Sequence, residues 1–457
     1  MLFSRSARAG VLALVFCSLP ALAHAETLRE ALTSAYRNNP AILSALLNVK
    51  STSENIALAK AAKLPTLGAS VGVNNSYTFN GKNEPLDIPA VSVGLSYNQT
   101  LFDNFKSDAD IEAARAITEA SRYSLQNSEQ NIFLAVVQAY MGVIRDTQLA
   151  QLRQENVTFY QAQVQSAKDR LEIGEGTKID VSQAEARLAQ GTAAYQSAVT
   201  SLQTSRASYE RYVGHPPKNL TTSYRLGTLM PKNLDSAISE AVSSHPAILA
   251  AKAGVRAAQA NSDAANAAFG PTLNFTSSLG STLIGPDNAF GGPNDASPRL
   301  SAGFSLTIPI YGGGRYGASI RKSNIEQIKS EVDALAARDQ IKESVISAWS
   351  SLQNANAQIT SATTAVASGE LSLEGVVQSR DVGQSTTLDV LNAQSELTSI
   401  REGLIQANAG KVIASFALVA ATGHLTAADL SLDVEVQTGE DYIAKVEDVW
   451  QELRALD

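Results

Sequence analysis

The sequence contains two copies of one pattern, and this internal repeat restricts the possible folds more than any other feature. Residues 27–67 align with residues 233–273 at a constant offset of 206, and later in the chain the offset becomes 209. The first copy spans 26–215, the second spans 233–424, and a linker at 216–232 joins them. A unit of this length that occurs twice indicates one structure built from two equivalent halves, and therefore a tandem duplication.

Each copy carries the same short motif between two stretches of helical sequence. The motif is a Gly, a Thr three positions later and an Asp six positions later, namely Gly174, Thr177 and Asp180 in the first copy and Gly383, Thr386 and Asp389 in the second. Gly commonly ends a helix in the left-handed conformation, and Thr commonly begins the next helix as its cap. The motif therefore predicts the tip of a helical hairpin, with a carboxylate in the first turn of the second helix.

The same order of elements is predicted in both copies: a helix, two strands, a very long helix, the tip and a further helix. In the first copy the helix breaks at Asn39-Pro40. The remaining elements there are strands at about 66–79 and 90–101, a long helix at about 103–172 and a helix at about 178–213. Their counterparts are strands at about 272–284 and 299–310, a long helix at about 314–382 and a helix at about 386–421.

The four predicted strands alternate between apolar and small or polar residues. The apolar positions include Leu67, Val71, Val73, Val91, Val93, Leu95, Leu101, Leu273, Phe275, Leu279, Leu300, Phe304 and Leu306. This alternation is typical of a transmembrane β-barrel wall, although a soluble pair of hairpins packed on helices is the alternative. The smallest such barrels have about eight strands, so four strands must be pooled between chains. Three chains would supply an even-stranded barrel of twelve.

The two long helices contain no proline. A helix of about 70 residues is roughly 100 Å long, which far exceeds the length of helices in globular proteins. Bulky apolar residues are sparse along these stretches, whereas Ala, Ser and Gln are common, and a solid core would need wider apolar stripes. A hollow helical cylinder fits this composition better than a simple long coiled coil, which is the alternative.

Residues 1–25 have the features of an export signal. Arg5 and Arg8 precede a short apolar run, and Ala23-His24-Ala25 forms the cleavage site. Removal of the signal also removes Cys17, so the mature chain has no disulfide, and it leaves 34 basic residues against 44 acidic ones. This acidic balance argues against a nucleic-acid partner. No later apolar run was expected to be long enough for a membrane helix, so passage through a membrane should use strands. The acidic tail at 425–457 is predicted to lie in the periplasm.

Taken together, these motifs resemble the TolC family of outer-membrane efflux and secretion channels. The resemblance is carried by Asn39-Pro40, Leu64-Pro65, the run Gln99 to Asp103, and the tips ending in Asp180-Val181 and Leu388-Asp-Val-Leu391. It implies a mixed α/β membrane protein that forms a homotrimer. A twelve-strand β-barrel, with four strands from each chain, would lie in outer-membrane lipid and continue into a long α-helical barrel in the periplasm. The lower end would close like an iris and dock onto a periplasmic adaptor and an inner-membrane transporter of RND or ABC type.

The resemblance also assigns a periplasmic gate to the second tip. The family has two acidic residues there, one helical turn apart, and these correspond to Asp389 and Asn392. A latch Arg of the family corresponds to Ser385, and a latch Tyr corresponds to Arg380. One acidic ring is therefore expected instead of two, with a different latch.

The first tip contributes Asp180, which matches an aspartate of the family's latch network. Arg380 is expected to pair with Asp180 or with Asp381. Three Asp389 carboxylates converging on one axis would repel each other, bind cations and concentrate negative potential. The alternative is that Asp180 and Asp389 only complement a helix dipole, an effect of about 0.3–1 kcal/mol.

Further candidate residues lie at the two ends of the predicted assembly. The hairpin tips, represented by Gly174, Thr177, Gly383 and Thr386, are the expected docking surface for the adaptor. The aromatic residues Phe102, Phe105, Phe269, Tyr311 and Tyr316 are expected to form a belt at the membrane interface, with ordinary packing as the alternative. The segment Gly312 to Arg315 predicts a bend from strand to helix. His215 and His424 follow Gly at matched positions, and there helix capping is favoured over metal binding.

The sequence therefore predicts a passive, gated export duct that is not an enzyme and has no cofactor or metal site. A periplasmic adaptor or another secreted coiled-coil scaffold is the alternative, because such proteins share the long hairpins and the export signal. The alternating strands and the paired tips favour the duct.

Overall fold

The computed structural model describes residues 25–78, 86–222, 224, 226–284 and 296–447. Most of the predicted signal peptide and the end of the tail beyond 447 lie outside these residues. The helices are α1 (Leu28–Asn38), α2 (Pro40–Ala61), α3 (Lys106–Glu172), α4 (Lys178–Val213), α5 (Leu234–Ser244), α6 (Pro246–Ala267), α7 (Arg315–Asp381), α8 (Thr387–Thr422) and α9 (Glu440–Glu447). The strands are β1 (Thr66–Thr78), β2 (Leu86–Phe102), β3 (Thr272–Ile284) and β4 (Ala296–Thr307), and Gly227–Leu229 forms a short 3₁₀ helix.

The two halves have the same order of elements and helices of equal length. The long helices α3 and α7 both have 67 residues, and α4 and α8 both have 36. The paired helices α2 and α6 both have 22 residues, and α1 and α5 both have 11. A 67-residue helix is about 100 Å long. The structure therefore has two long hairpins that extend away from one small sheet.

The first helix of each half is interrupted by a capped proline turn. Asn39 caps α2, with its side chain accepting a hydrogen bond from the backbone N–H of Ala41 at 2.9 Å, and Pro40 occupies the first helical position. In the second half the ring of His245 accepts a hydrogen bond from the backbone N–H of Ala247 at 3.1 Å. The predicted break at Asn39-Pro40 is confirmed.

The four strands form one antiparallel sheet in the order β1-β2-β3-β4. The register places Val71 opposite Val93, Leu95 opposite Leu279, and Leu279 opposite Leu300. The apolar side chains therefore share one face of the sheet and are largely exposed on it. Small residues line the other face. Because β1 and β4 each pair on one side only, the sheet has two open edges.

The strands differ from the predicted spans at several ends. β2 begins at Leu86, earlier than predicted, because its pairing with β1 continues to Thr78. β4 ends at Thr307, earlier than the predicted 310, because its pairing stops opposite Thr272. Leu101 was expected to continue the apolar face, but a bulge between Thr100 and Phe102 places Phe102 opposite Leu273.

α3 is the central helix of a wall of helices. It packs against α2 and α4, and also against α6 and α8, which in turn pack against α7. α7 therefore forms one edge of the wall, and α2 and α4 form the other. In α7 only Val345, Ala348, Leu352 and Ala355 are buried, whereas α3, of the same length, buries residues along most of its length.

Both edges of this wall carry exposed aliphatic side chains. On α7 they are Ile325, Ile328, Val332 and Leu335, which are spaced by three, four and three residues and therefore share one helical face. On α2 they are Leu43, Leu47 and Leu58. Exposed apolar rows of this kind mark contact surfaces.

The main core lies where the helices of the first half meet the end of α8. It includes Phe133, Tyr140, Tyr209, Phe416 and Val419. The hydroxyl oxygen of Tyr140 lies within hydrogen-bond distance of the backbone carbonyl oxygens of Glu26 and Thr221, at 2.8 and 2.7 Å. The first residue after the predicted cleavage site is thus fixed to the core.

One expectation about membrane helices was wrong. Within the described residues α8 is the one helix long and apolar enough to cross a membrane, although no such run was expected after the signal. Leu391, Phe416, Leu418 and Val419 of α8 are buried against other parts of the chain. Core helices meet the same criterion of length and composition, so the exposed apolar face of the sheet stays the better candidate for lipid contact.

The turns from strand into long helix have the same backbone conformation in both halves. Gly313 and Gly314 have φ values of +62° and +85°, which confirms the predicted bend. The equivalent positions are Asn104 and Phe105, with φ values of +58° and +67°. The left-handed conformation costs a residue such as Phe105 about 1–2 kcal/mol. The side-chain amide of Asn104 stabilises this turn by donating to the carbonyl of Ala267 at 3.2 Å.

Candidate functional site at the hairpin tips

Both tips have the predicted turn and cap. Gly174 and Gly383 have φ values of +84° and +80°. Thr177 and Thr386 are the N-caps of α4 and α8, and each forms a reciprocal capping box with the Asp three residues later. The sequence motif therefore encodes the local conformation of the tips completely.

The carboxylate of Asp389 is held by the cap but stays exposed to solvent. Its Oδ2 accepts hydrogen bonds from the backbone N–H of Thr386 at 2.8 Å and from the hydroxyl of Thr386 at 2.7 Å. These two bonds favour the ionised form and lower the pKa of Asp389 below its usual range. Asp180 has the same contacts with Thr177, at 2.9 and 2.6 Å. Both tips thus present a fixed carboxylate.

Asn392 is connected to the first hairpin. Its side-chain oxygen accepts a hydrogen bond from Nη2 of Arg187, in α4, at 2.8 Å. Asn392 lies one turn after Asp389, at the position where the family pattern has a second acidic residue. The side chain at this position is therefore neutral and already has a partner from the neighbouring helix.

Arg380 pairs with Asp381, one of the two partners expected from the sequence. Its Nη2 lies 2.8 Å from the carboxylate of Asp381, and its Nη1 donates to the side-chain oxygen of Gln163 at 2.7 Å. Asp180 is not its partner among the described residues. Ser385 contributes through its backbone, donating to the carbonyl of Ser379 at 3.3 Å.

Above the tips, α8 is attached to the first hairpin by a seam of contacts. Leu391 is fully buried in a small cluster with Tyr160, Val164 and Ala184 of α3 and α4. Further along, Asn156 accepts a hydrogen bond from Gln394 at 3.0 Å. Next, Arg153 donates to the carboxylate of Glu402 at 2.7 Å. The sequence named Leu391 only as part of the family motif, and the other residues of this seam were not identified from it.

Four exposed aliphatic side chains surround the tips at matched positions. They are Ile173 and Ile179 at the first tip, and Val382 and Leu388 at the second. The tips thus combine apolar surface with fixed carboxylates. Exposed apolar surface of this kind, beside charged groups of fixed position, is typical of a surface that binds another protein.

The aromatic candidates gather where the strands meet the helices. Phe102 and Phe105 form an edge-to-face pair with ring centroids 5.8 Å apart, and Phe269 and Tyr316 lie 5.2 Å apart. Tyr311 is almost fully exposed. All five residues thus lie at one end of the sheet, where Phe102, Phe105, Phe269 and Tyr311 are exposed and Tyr316 is half-buried.

The two histidines lie near carboxylates at helix ends. Nε2 of His215 is 3.4 Å from Glu26, and His424 is 3.2 Å from Glu240 and 3.5 Å from Asp429. The part of the chain that the structure describes contains no group of three or more His, Cys, Asp or Glu residues suited to a metal ion.

Comparisons with known proteins extend over nearly the whole chain. A family model described as outer membrane efflux protein matches residues 31–215 and 237–424. The chain is 38% identical over 435 residues to the outer membrane efflux protein BepC of Brucella suis biovar 1, which covers 94% of this chain and 93% of BepC. It is 25% identical over 414 residues to the alkaline protease secretion protein AprF of Pseudomonas aeruginosa, covering 87% and 84% of the two chains. The crystal structure of the CmeC outer membrane channel of Campylobacter jejuni matches with a TM-score of 0.78 at 15% identity, covering 92% and 89%.

Proposed function

The chain belongs to the outer membrane efflux protein family, and from this membership we propose that it is the exit duct of a tripartite export system. In this proposal it is a passive, gated channel in the outer membrane whose helices extend into the periplasm. It catalyses no reaction and needs no cofactor, because the transporter that docks with it supplies the energy. The names of BepC and AprF support efflux and protein secretion as the two kinds of export to test.

The observation that carries this proposal is the sheet with one exposed apolar face and two open edges. Such a sheet would aggregate in water, because both its apolar face and its edge hydrogen-bonding groups would lack partners. In a membrane, the unpaired backbone groups at β1 and β4 must find strands of other chains. Three chains closing β4 onto the next β1 would form a twelve-strand barrel whose apolar face contacts lipid.

The helical wall also supports assembly of several chains into a ring. The stripe on α7 and the exposed leucines on α2 lie at opposite edges of one chain, so a head-to-tail contact would cover both. A contact between two different surfaces closes into a ring when the rotation divides a full circle. We propose that three chains close in this way, and that the equal halves arose by tandem duplication.

The tips are the proposed gate. In a trimer, three copies of Asp389 would meet around one axis as a single acidic ring. The three copies of Asp180 would lie at the neighbouring tips, where each holds the turn through its contacts with Thr177. The cap keeps this carboxylate ionised, which favours cation binding at the aperture. Because Asn392 is neutral and tied to Arg187, a second acidic ring is absent from the proposal.

The latch is proposed to be the seam between α8 and the first hairpin. Leu391 supplies apolar contact, and the polar contacts of Asn392 with Arg187 and of Arg380 with Gln163 fix the tip beside it. Ser385 only shapes the turn. Opening the gate would require this seam to loosen.

The substitution Arg187→Ala is expected to raise the closed-state leak through the duct by about two- to fivefold. An exposed hydrogen bond of this kind contributes about 0.5–1 kcal/mol, and its loss would free Asn392 and the turn that precedes it. Single-channel recording of the open probability measures this effect. Lys178→Ala removes a positive charge from the first turn of the same helix without removing the contact, so it should leave the leak unchanged. An equal leak in the two variants would contradict the latch.

The proposed partners dock at the tips and at the membrane. The turns at Gly174, Thr177, Gly383 and Thr386, with the aliphatic residues beside them, would bind a periplasmic adaptor. That adaptor would connect the duct to an inner-membrane transporter of RND or ABC type. The aromatic residues Phe102, Phe105, Phe269, Tyr311 and Tyr316 are proposed to lie at the lipid interface, where their rings would anchor the barrel.

Membrane fractionation separates this proposal from a periplasmic adaptor or scaffold. The duct is expected in the outer membrane as a trimer that resists SDS until it is heated. The alternative predicts a soluble periplasmic product that runs as a monomer without heating. Recovery of the chain in the periplasmic fraction would contradict the proposed function.

A further inference from the structure

The chain continues beyond α8 and returns to the opposite edge of the wall. Residues 425–447, here named the C-terminal strap, run across α1, α2 and α3. The hydroxyl of Tyr442 donates to Glu54 at 2.6 Å, and Nζ of Lys50 lies 5.0 Å from the centre of the Tyr442 ring. Ile443 packs against a cluster formed by Leu46, Val49 and Leu125. The strap thus connects the end of α8 with the edge helix α2.

A buried carboxyl group lies beneath the start of this strap. Glu129, on α3, is only 5% exposed and accepts a hydrogen bond from the backbone N–H of Ala427. Within the described part of the chain Glu129 forms no salt bridge. Arg122, which lines the same cavity, pairs with Glu440 instead. A cavity of about 310 Å³ separates Glu129 from other parts of the strap. Seating the strap therefore buries a carboxyl group that has no cationic partner.

The charged and titratable groups around Glu129 come from four directions. They are Arg122 on α3, Tyr36 on α1, His424 after α8 with its neighbour Glu240 on α5, and Asp429 and Glu440 on the strap. Arg122 is already paired with Glu440, and His424 lies between Glu240 and Asp429. The surroundings are therefore acidic, which disfavours an ionised Glu129.

We propose that Glu129 makes the seating of the C-terminal strap sensitive to pH, so that the strap is held tightly in acid and opens more often toward neutral pH. When Glu129 is protonated, its side chain is neutral, so a seated strap removes no charge from water. When it is ionised, a seated strap encloses an unpaired charge, and release of the strap returns that charge to water. This inference concerns the strap alone and does not depend on the export role.

The direction and range of the effect follow from proton linkage. Burial raises the pKa of Glu129 to about 7, against the opposing hydrogen bond from Ala427, and the charge of Asp429 adds to the increase. With the strap released, the pKa returns to about 4.3. The seated state therefore binds the proton more tightly than the released state. The extra stability that this proton gives to the seated strap is lost as the pH rises from about 4.3 to about 7. We expect the opening constant to rise about tenfold between pH 5.5 and 7 and to level off above pH 7.5.

Hydrogen–deuterium exchange of peptides from 425–447 in the purified mature protein tests this proposal. After correction for intrinsic exchange rates, the opening constant should rise about tenfold over this range in the natural protein. Glu129→Gln mimics the protonated group and should exchange slowly at every pH. His424→Gln is the matched control, because it removes the histidine that lines the same cavity. The pH dependence of strap opening should persist in this variant.

Two outcomes would overturn the proposal. One is an opening constant that does not change between pH 5.5 and 7 in the natural protein. The other is a pH dependence that survives in Glu129→Gln or disappears in His424→Gln. If Glu129→Gln does not fold, the variant Asp429→Asn tests the proposal instead. Removal of that neighbouring charge should shift the transition to lower pH, and an unshifted transition would also contradict the proposal.

Discussion

A chain carrying both Ile328→Asp and Val332→Asp is expected to form no SDS-resistant trimer. The two natural side chains are 59% and 57% exposed in the single chain, and the proposed assembly would bury them against the next α2. Loss of their burial removes about 2 kcal/mol for each side chain. The new carboxylates would also be buried without partners, at three interfaces per trimer. Gel electrophoresis of unheated membranes measures the remaining trimer.

The matched control for this prediction lies on the polar flank of the same helix. Gln340→Asp adds a carboxylate to α7 at an exposed position outside the stripe. It should leave the trimer intact after the same solubilisation. Normal trimer in the double variant, or equal loss of trimer in the control, would show that the stripe does not form the interface.

The substitution Leu95→Lys is expected to reduce assembled protein in the outer membrane several-fold. Leu95 lies near the middle of β2, on the apolar face between Ala69 and Leu279. A Lys on the lipid face near the bilayer centre costs about 2–4 kcal/mol per chain, and a trimer would carry three. Quantitative immunoblotting of the outer-membrane fraction checks this expectation.

The neighbouring residue supplies the control for the two faces of the sheet. Ser96 points to the opposite face, where its hydroxyl donates to the carbonyl of Gly68 at 3.4 Å. Ser96→Lys would place the same charge in a wet lumen, so assembly should stay close to that of the natural protein. Equal losses in the two variants would argue against a lipid face on one side of the sheet.

Local features of this fold were predictable from sequence because their determinants lie within a few residues. The capped turns at Thr177 and Thr386 depend only on a Gly, a Thr and an Asp in sequence order. The strands follow from alternation, and the break at Asn39 follows from a capping residue before Pro40. In each case the sequence pattern and the hydrogen bond belong to the same segment.

The seam was not predictable, because it joins segments that are distant in the sequence. Arg187 and Asn392 are 205 positions apart, and their contact exists only once the two hairpins have docked. Leu391 looks like any apolar residue of a helix until the structure places it between α3 and α4. The bulge at Thr100 likewise depends on pairing with β3, so strand alternation alone missed it.

Planar-bilayer recording of the purified protein with Asp389→Ala tests the central claim most directly. If three tips meet at one aperture, the natural protein should be cation-selective and blocked by divalent cations. Removal of the acidic ring should then weaken both properties severalfold, whereas Asp180→Ala should weaken them less. Unchanged selectivity and unchanged divalent block in Asp389→Ala would contradict a gate at this residue.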